Sequence, residues 1–183
     1  YNYHKDILFL DFQTLDIDQR FISYMHTEYE KGNLDPSVRM DQNIFSLQSK
    51  LTGNHLTVGS LFQYRDFQAG GFYWTPDAEE ISLAAFGLFE KKINDLTLQI
   101  SSRVEYLTVI PEKSSIYLSN LDNSQVVNRN YPIFAAALGA FKAWKNWKLS
   151  FGTMLTGRAP SIEDLYSDGP HLGTYAYEIG QPK

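Results

Sequence analysis

The chain has 183 residues, enough to bury a core as one unit. A formal charge of -5 and a pI near 5.3 leave no basic footprint for nucleic acid, and zero cysteines exclude disulfides and thiolate chemistry. Aromatic residues make up 15% of the chain, yet the mean hydropathy is -0.32, a combination that fits barrels with rings outside and hydrophilic groups inside.

No apolar run approaches the roughly 20 residues of a membrane helix. The opening YNYHKDILF lacks the basic start and cleavage site of a signal peptide, and Tyr1 in first position reads as a processed chain or an excised piece. Residues 7–14 read as a strand, with a turn at 16–18 after it. Phe21, Ser23, Met25, Thr27 and Tyr29 then share one face of a second strand, leaving its apolar side open. Residues 31–41, with Gly32, Asn33, Asp35 and Pro36, form a loop. Phe45, Leu47 and Leu51 oppose Ser46, Gln48 and Lys50, and residues 52–54 turn the chain back into a strand over 56–67. There Leu56, Val58, Phe62 and Tyr64 oppose Thr57, Gly59, Gln63 and Arg65. A loop over 68–80 holds Phe72, Tyr73 and Trp74. The strand at 82–90 follows, with Ala84, Phe86 and Leu88 against Leu83, Ala85, Gly87 and Phe89, so that either side reads as apolar.

After a turn at 91–95 comes the clearest pattern, LTLQISSRVEY. Leu96, Leu98, Ile100, Val104 and Tyr106 fall on one side, and Thr97, Gln99, Ser101, Arg103 and Glu105 on the other. Side chains alternate across a strand, so one face is greasy and the other charged. Arg103 and Glu105, two apart on the polar side, are placed to pair. The run also has the length, roughly 9–11 residues, with which a tilted strand crosses a bilayer. Residues 111–130 form the longest irregular stretch, a candidate for function or motion. Residues 134–144 and 147–156 then form a hairpin closed by Lys145 and Asn146. It pairs Trp144 with Trp147, sets Leu149, Phe151 and Leu155 on the face of Phe134, and places Lys142 where its stem reaches a headgroup level. Two Trp beside a tight turn fit an interfacial girdle, or equally an aromatic pair on a soluble hairpin.

The connections alternate short and long from end to end. An up-and-down meander with tight turns at one rim and long loops at the other produces that beat, whereas a Greek-key sandwich has no reason to. The fold expected is therefore all-β, an antiparallel up-and-down transmembrane barrel. Its polar face is the candidate lumen, carrying Gln63, Arg65, Gln99, Arg103 and Glu105. The candidate lipid face and girdle are Phe62, Tyr64, Leu98, Tyr106, Trp144, Trp147 and Phe151.

Four scattered histidines, no phosphate-cradling glycine loop and no nucleophile elbow leave no enzyme signature and imply no cofactor or metal. The segment GRAPSIEDLYSDGPHLGTYAYEIGQPK, from Gly157 on, is different in kind. Its Arg158, Pro160, Asp164, Leu165, Tyr166, Gly169, Pro170, His171, Tyr177, Glu178, Gly180 and Pro182 resemble a stretch in the barrel domain of TonB-dependent outer-membrane receptors. The same residues allow a short helix capped by Ser161, with Asp164 at its third position.

The resemblance implies a barrel of about 22 strands with a plugged lumen, of which the eight or so strands here are a middle portion. The plug domain and the C-terminal strands would be absent. It implies import of a scarce nutrient, such as a metal chelate or cobalamin, across the outer membrane of a Gram-negative bacterium. The partners would be outer-membrane lipid and, through the plug, the TonB energy-transducing complex. The loops at 68–80 and 111–130 are candidate ligand contacts. A passive porin-like channel is the first alternative. A soluble all-β module with Phe72, Tyr73 and Trp74 as a stacking platform is the second.

Overall fold

The structure is a computed structural model that describes residues 1–9, 12–29, 31–32, 34–71, 75–112, 124–171 and 176–181, and the backbone alone of residues 7–9, 71, 170, 171 and 176. The chain is all-β in its main body. Eight strands, β1 (Asn2–Phe9), β2 (Phe12–Glu28), β3 (Val38–Gly53), β4 (Leu56–Gly71), β5 (Ala78–Ile93), β6 (Leu96–Pro111), β7 (Arg129–Trp144) and β8 (Trp147–Thr156), form one sheet in sequence order. Every neighbouring pair is antiparallel. The sheet is open, and among the described residues β1 and β8 have no further neighbour. No helix among the described residues is long and apolar enough to cross a membrane.

Two-residue connections at 54–55, 94–95 and 145–146 alternate with the longer ones at 29–37, 72–77 and 112–128. Asn94 takes φ 53°, the left-handed conformation that a two-residue hairpin of the primed type requires. The turn expected at 16–18 is instead the middle of β2, and the β1–β2 connection falls on residues 10–11, outside the described residues. The acids that read as turn formers have basic partners within the sheet: Asp16 meets Lys50 of β3 at 3.1 Å and His4 of β1, and Asp18 takes Arg20 of its own strand at 2.6 Å.

The strands also outrun their apolar patterns. Arg39 to Asp41, Gln68 to Gly71, Ala78 to Glu80, Lys91 to Ile93, Pro111, and Arg129 with Asn130, read as loop or turn, belong to the ladder. Their backbone groups are satisfied by neighbours of equal length, so pairing continues where the alternation stops.

The chain after β8 does not extend the sheet. Ser161 caps a short helix, α1 (Ile162–Tyr166), and a small hairpin of β9 (Asp168–His171) and β10 (Ala176–Ile179) follows. Ile162, Leu165 and Tyr166 are fully buried against Phe67, Ala69, Ala78 and Val109, with Met40, Leu107 and Tyr131 alongside. This strap forms the hydrophobic core and lies at the long-loop end of β3–β7.

Candidate functional site

The register brings the apolar sides of β2 to β8 to one face. Across the sheet, Leu47, Phe62, Leu83 and Tyr106 form one row, Ser49, Ser60, Ala85, Val104 and Phe134 the next, and Leu56, Phe89, Ile100 and Leu138 another below. Nearer the short turns Leu98, Ala140 and Phe151 follow, then Trp144 beside Trp147. Phe62, Tyr64, Leu98, Tyr106, Trp144, Trp147 and Phe151 thus share this face. Pairing also settles the two strands whose sequence left the side open. Phe21 stands opposite Phe45, and Leu83 and Phe89 opposite Tyr106 and Ile100, so Ala84, Phe86 and Leu88 lie on the polar side. Large side chains on the apolar face are exposed, among them Leu83, Ile100, Val104, Phe134, Leu138 and Phe151.

Charge on this face is confined to its margins. At the long-loop end stand Arg39, Asp41, Asp66 and Glu79, and toward the short turns Lys5, Lys91 and Lys142. On β5 the uncharged stretch runs from Ile81 to Phe89, and nine residues of a tilted strand span about 20–25 Å of height.

The stagger of the rows gives the tilt. The row Ser49, Ser60, Ala85, Val104, Phe134 stands five residues from the connection in β3 and β4, nine in β5 and β6, and eleven in β7. If the short turns share one level, this climb, at about 3.3 Å per residue and about 4.8 Å per strand, requires strands leaning about 45°. The β1–β2 hairpin, which carries a bulge, does not join the climb.

The opposite face carries Gln63, Arg65, Gln99, Arg103 and Glu105. Arg65 is the centre of one cluster: it donates to Gln42 at 2.9 Å and to Glu80 at 3.0 Å, with its guanidinium 5.0 Å from the Phe67 ring. In the other cluster Glu105 accepts from Ser82 at 2.6 Å and from Arg103 at 2.8 Å. Gln99 donates to Glu90, while Gln63 pairs in register with Ser46 and Ser82. Such ion pairs, half-sheltered on a strand face, fix side-chain positions more than they stabilise the fold.

The described residues of the Arg158–Gly180 motif lie in the strap, and several of them hold it together. Asp164 completes a capping box, donating through its backbone to the Ser161 hydroxyl at 3.1 Å and accepting from the Ser161 N–H at 3.0 Å. That N–H holds the Asp164 carboxyl below the usual range, helped by the Ser161 hydroxyl and by Arg158 at 3.4 Å. Pro160 precedes the cap. Leu165 and Tyr166 anchor the helix, and the Tyr166 hydroxyl donates to the Val127 carbonyl at 2.9 Å and accepts from Arg129 at 3.3 Å, tying the β6–β7 loop to the strap.

Gly169 pairs in register with Glu178, and Pro170 with Tyr177, whose hydroxyl donates to Asp168 at 3.0 Å. His171 ends β9 opposite Ala176. Gly180 donates to the Ser167 carbonyl at 2.6 Å, so close to α1 that a Cβ there would lie 2.6 Å from the Leu165 backbone. Pro182 lies outside the described residues, as do Phe72, Tyr73, Trp74 and residues 113–123 of the candidate ligand loops.

The docking of the strap on the charged face was not anticipated from the sequence. Its signal is a change of phase: Leu107 and Val109 continue the parity of Arg103 and Glu105, as Phe67 and Ala69 continue that of Arg65. The polar side becomes apolar toward the loops, where α1 covers it.

Among the described residues no group of three or more His, Asp or Glu side chains is placed to hold a metal ion. No protein-family model, curated protein or solved structure matches the chain.

Proposed function

We propose that this sheet is a portion of an outer-membrane β-barrel of the TonB-dependent receptor type, which imports a scarce nutrient with energy from the TonB system. The observation that carries the membrane reading is the apolar face: it runs across β2 to β8, is exposed, carries no charge between its margins, and is edged by charge only there. Water does not favour so large an apolar surface on a monomer, and hydrocarbon does. The strand tilt, the height of the uncharged band and the alternation of two-residue turns with longer loops agree with it. The open edges of β1 and β8 leave unpaired backbone groups that further strands of a larger barrel would satisfy.

The receptor type rests on the Arg158–Gly180 segment. Cargo binding would fall to the long-loop side, and the paired charges around Arg65 and Glu105 would line the lumen. The plug domain and the remaining strands would come from sequence beyond this piece. A soluble module is tested by fractionation of cells expressing the full reading frame: recovery in the aqueous fraction without detergent overturns the membrane reading. Uptake that persists after the proton-motive force is collapsed overturns the receptor reading in favour of a passive channel.

A further inference from the structure

The margin of the apolar face nearest the short turns differs in sign from the opposite one. Lys91 and Lys142 point to this face and stand three residues from the connections at 94–95 and 145–146, the same height when the short turns share one level. Among the described residues neither ammonium has a carboxylate within ion-pair distance, and Asp95, in the adjoining turn, belongs to none of the ion pairs. The Lys142 ammonium lies 4.9 Å from the centre of the Trp144 ring, at the level of the two Trp. Above them β5 carries no charge on this face until Glu79. Two unpaired cations at the lower edge of an apolar band, beside interfacial aromatics, face the plane in which lipid phosphates lie.

We propose that Lys91 and Lys142 form a docking surface for the phosphates of anionic glycerophospholipids in the leaflet at the short-turn rim. This rests on the membrane reading above. Each lysine enriches the anionic lipid about fivefold over a zwitterionic one, the equivalent of about 1 kcal/mol.

The test uses fluorescence of Trp144 and Trp147 in the whole chain carrying Trp74→Phe, reconstituted into phosphatidylcholine vesicles containing a minor fraction of brominated phosphatidylglycerol. Quenching several-fold above that lipid's mole fraction is expected. Lys91→Gln with Lys142→Gln should bring it down to the mole fraction, and the Arg pair should retain it. Quenching proportional to mole fraction in the unaltered lysine pair, or unchanged by the Gln pair, overturns the inference. Loss of the excess on adding soluble glycerophosphate overturns the assignment to lipid. Absence of quenching by brominated phosphatidylcholine as well overturns the membrane reading itself.

Discussion

Replacing Val104 with Arg puts a charge near the mid-depth of the proposed bilayer. Val104 is 53% exposed on the apolar face, between Ala85 and Phe134 in its row, and nine residues above the 94–95 connection. On strands leaning about 45° that is about 21 Å above the turns, and Lys91 and Lys142 at three residues are about 7 Å above them. The new charge therefore sits about 14 Å inside the lysine plane, close to the middle of a core about 30 Å thick. Arg at that depth on a barrel costs roughly 2–4 kcal/mol, and Ile100→Arg, only two residues above the lysines, should cost less. Gln99→Arg, on the polar face where Glu90 already accepts from residue 99, should be near neutral. The assay is a urea titration of the chain refolded in phospholipid vesicles. If the apolar face met water instead, Val104→Arg would behave as an ordinary surface change, within about 0.5 kcal/mol. Equal midpoints for Val104→Arg and Gln99→Arg would refute the assigned faces.

The strap yields three more expectations. Gly180→Ala must move a backbone that lies 2.6 Å from the new Cβ, so β10 should lift from α1 at a cost of about 1–3 kcal/mol, read as faster amide exchange in α1. If exchange in α1 is unchanged, the close approach carries no energy. Tyr166→Phe removes a donor to Val127 and an acceptor from Arg129, which should cost about 1 kcal/mol and raise exchange in residues 124–128 while β4–β6 keep their protection. The Asp164 carboxyl titrates below its unfolded value, so its contribution is present above that value, near 3.9, and lost as the pH falls through the lower folded one. Asp164→Asn should flatten the acid limb of α1 exchange against pH, and an unchanged limb would remove Asp164 as its cause.

How much of this was legible in the sequence depends on what sets each feature. The hairpin of Trp144 and Trp147 and the faces of β4 and β6 follow from alternation alone, because Gln63 and Arg65, or Gln99, Arg103 and Glu105, leave no choice of side. The faces of β2 and β5 were not legible because both parities of each mix apolar with small or polar side chains. Only pairing with Phe45, Tyr106 and Ile100 decides them. The turn at 16–18 misled because aspartate favours turns when solvated, but here each acid has a basic partner within the sheet. The helix cap was readable from Ser161 and Asp164, which act locally. Its landing place was not, since that depends on side chains of β3–β7 far away in sequence.

That separation has a kinetic consequence. The meander can zip from neighbour to neighbour, each hairpin closing over a short stretch of chain. Leu165 and Tyr166 find their seat only once β4, β5, β6 and β7 lie side by side, because Phe67 and Val109 reach it from different strands. The last segment described is thus a late-closing clasp, and the rim it fastens takes its final form after the wall beneath it has been built.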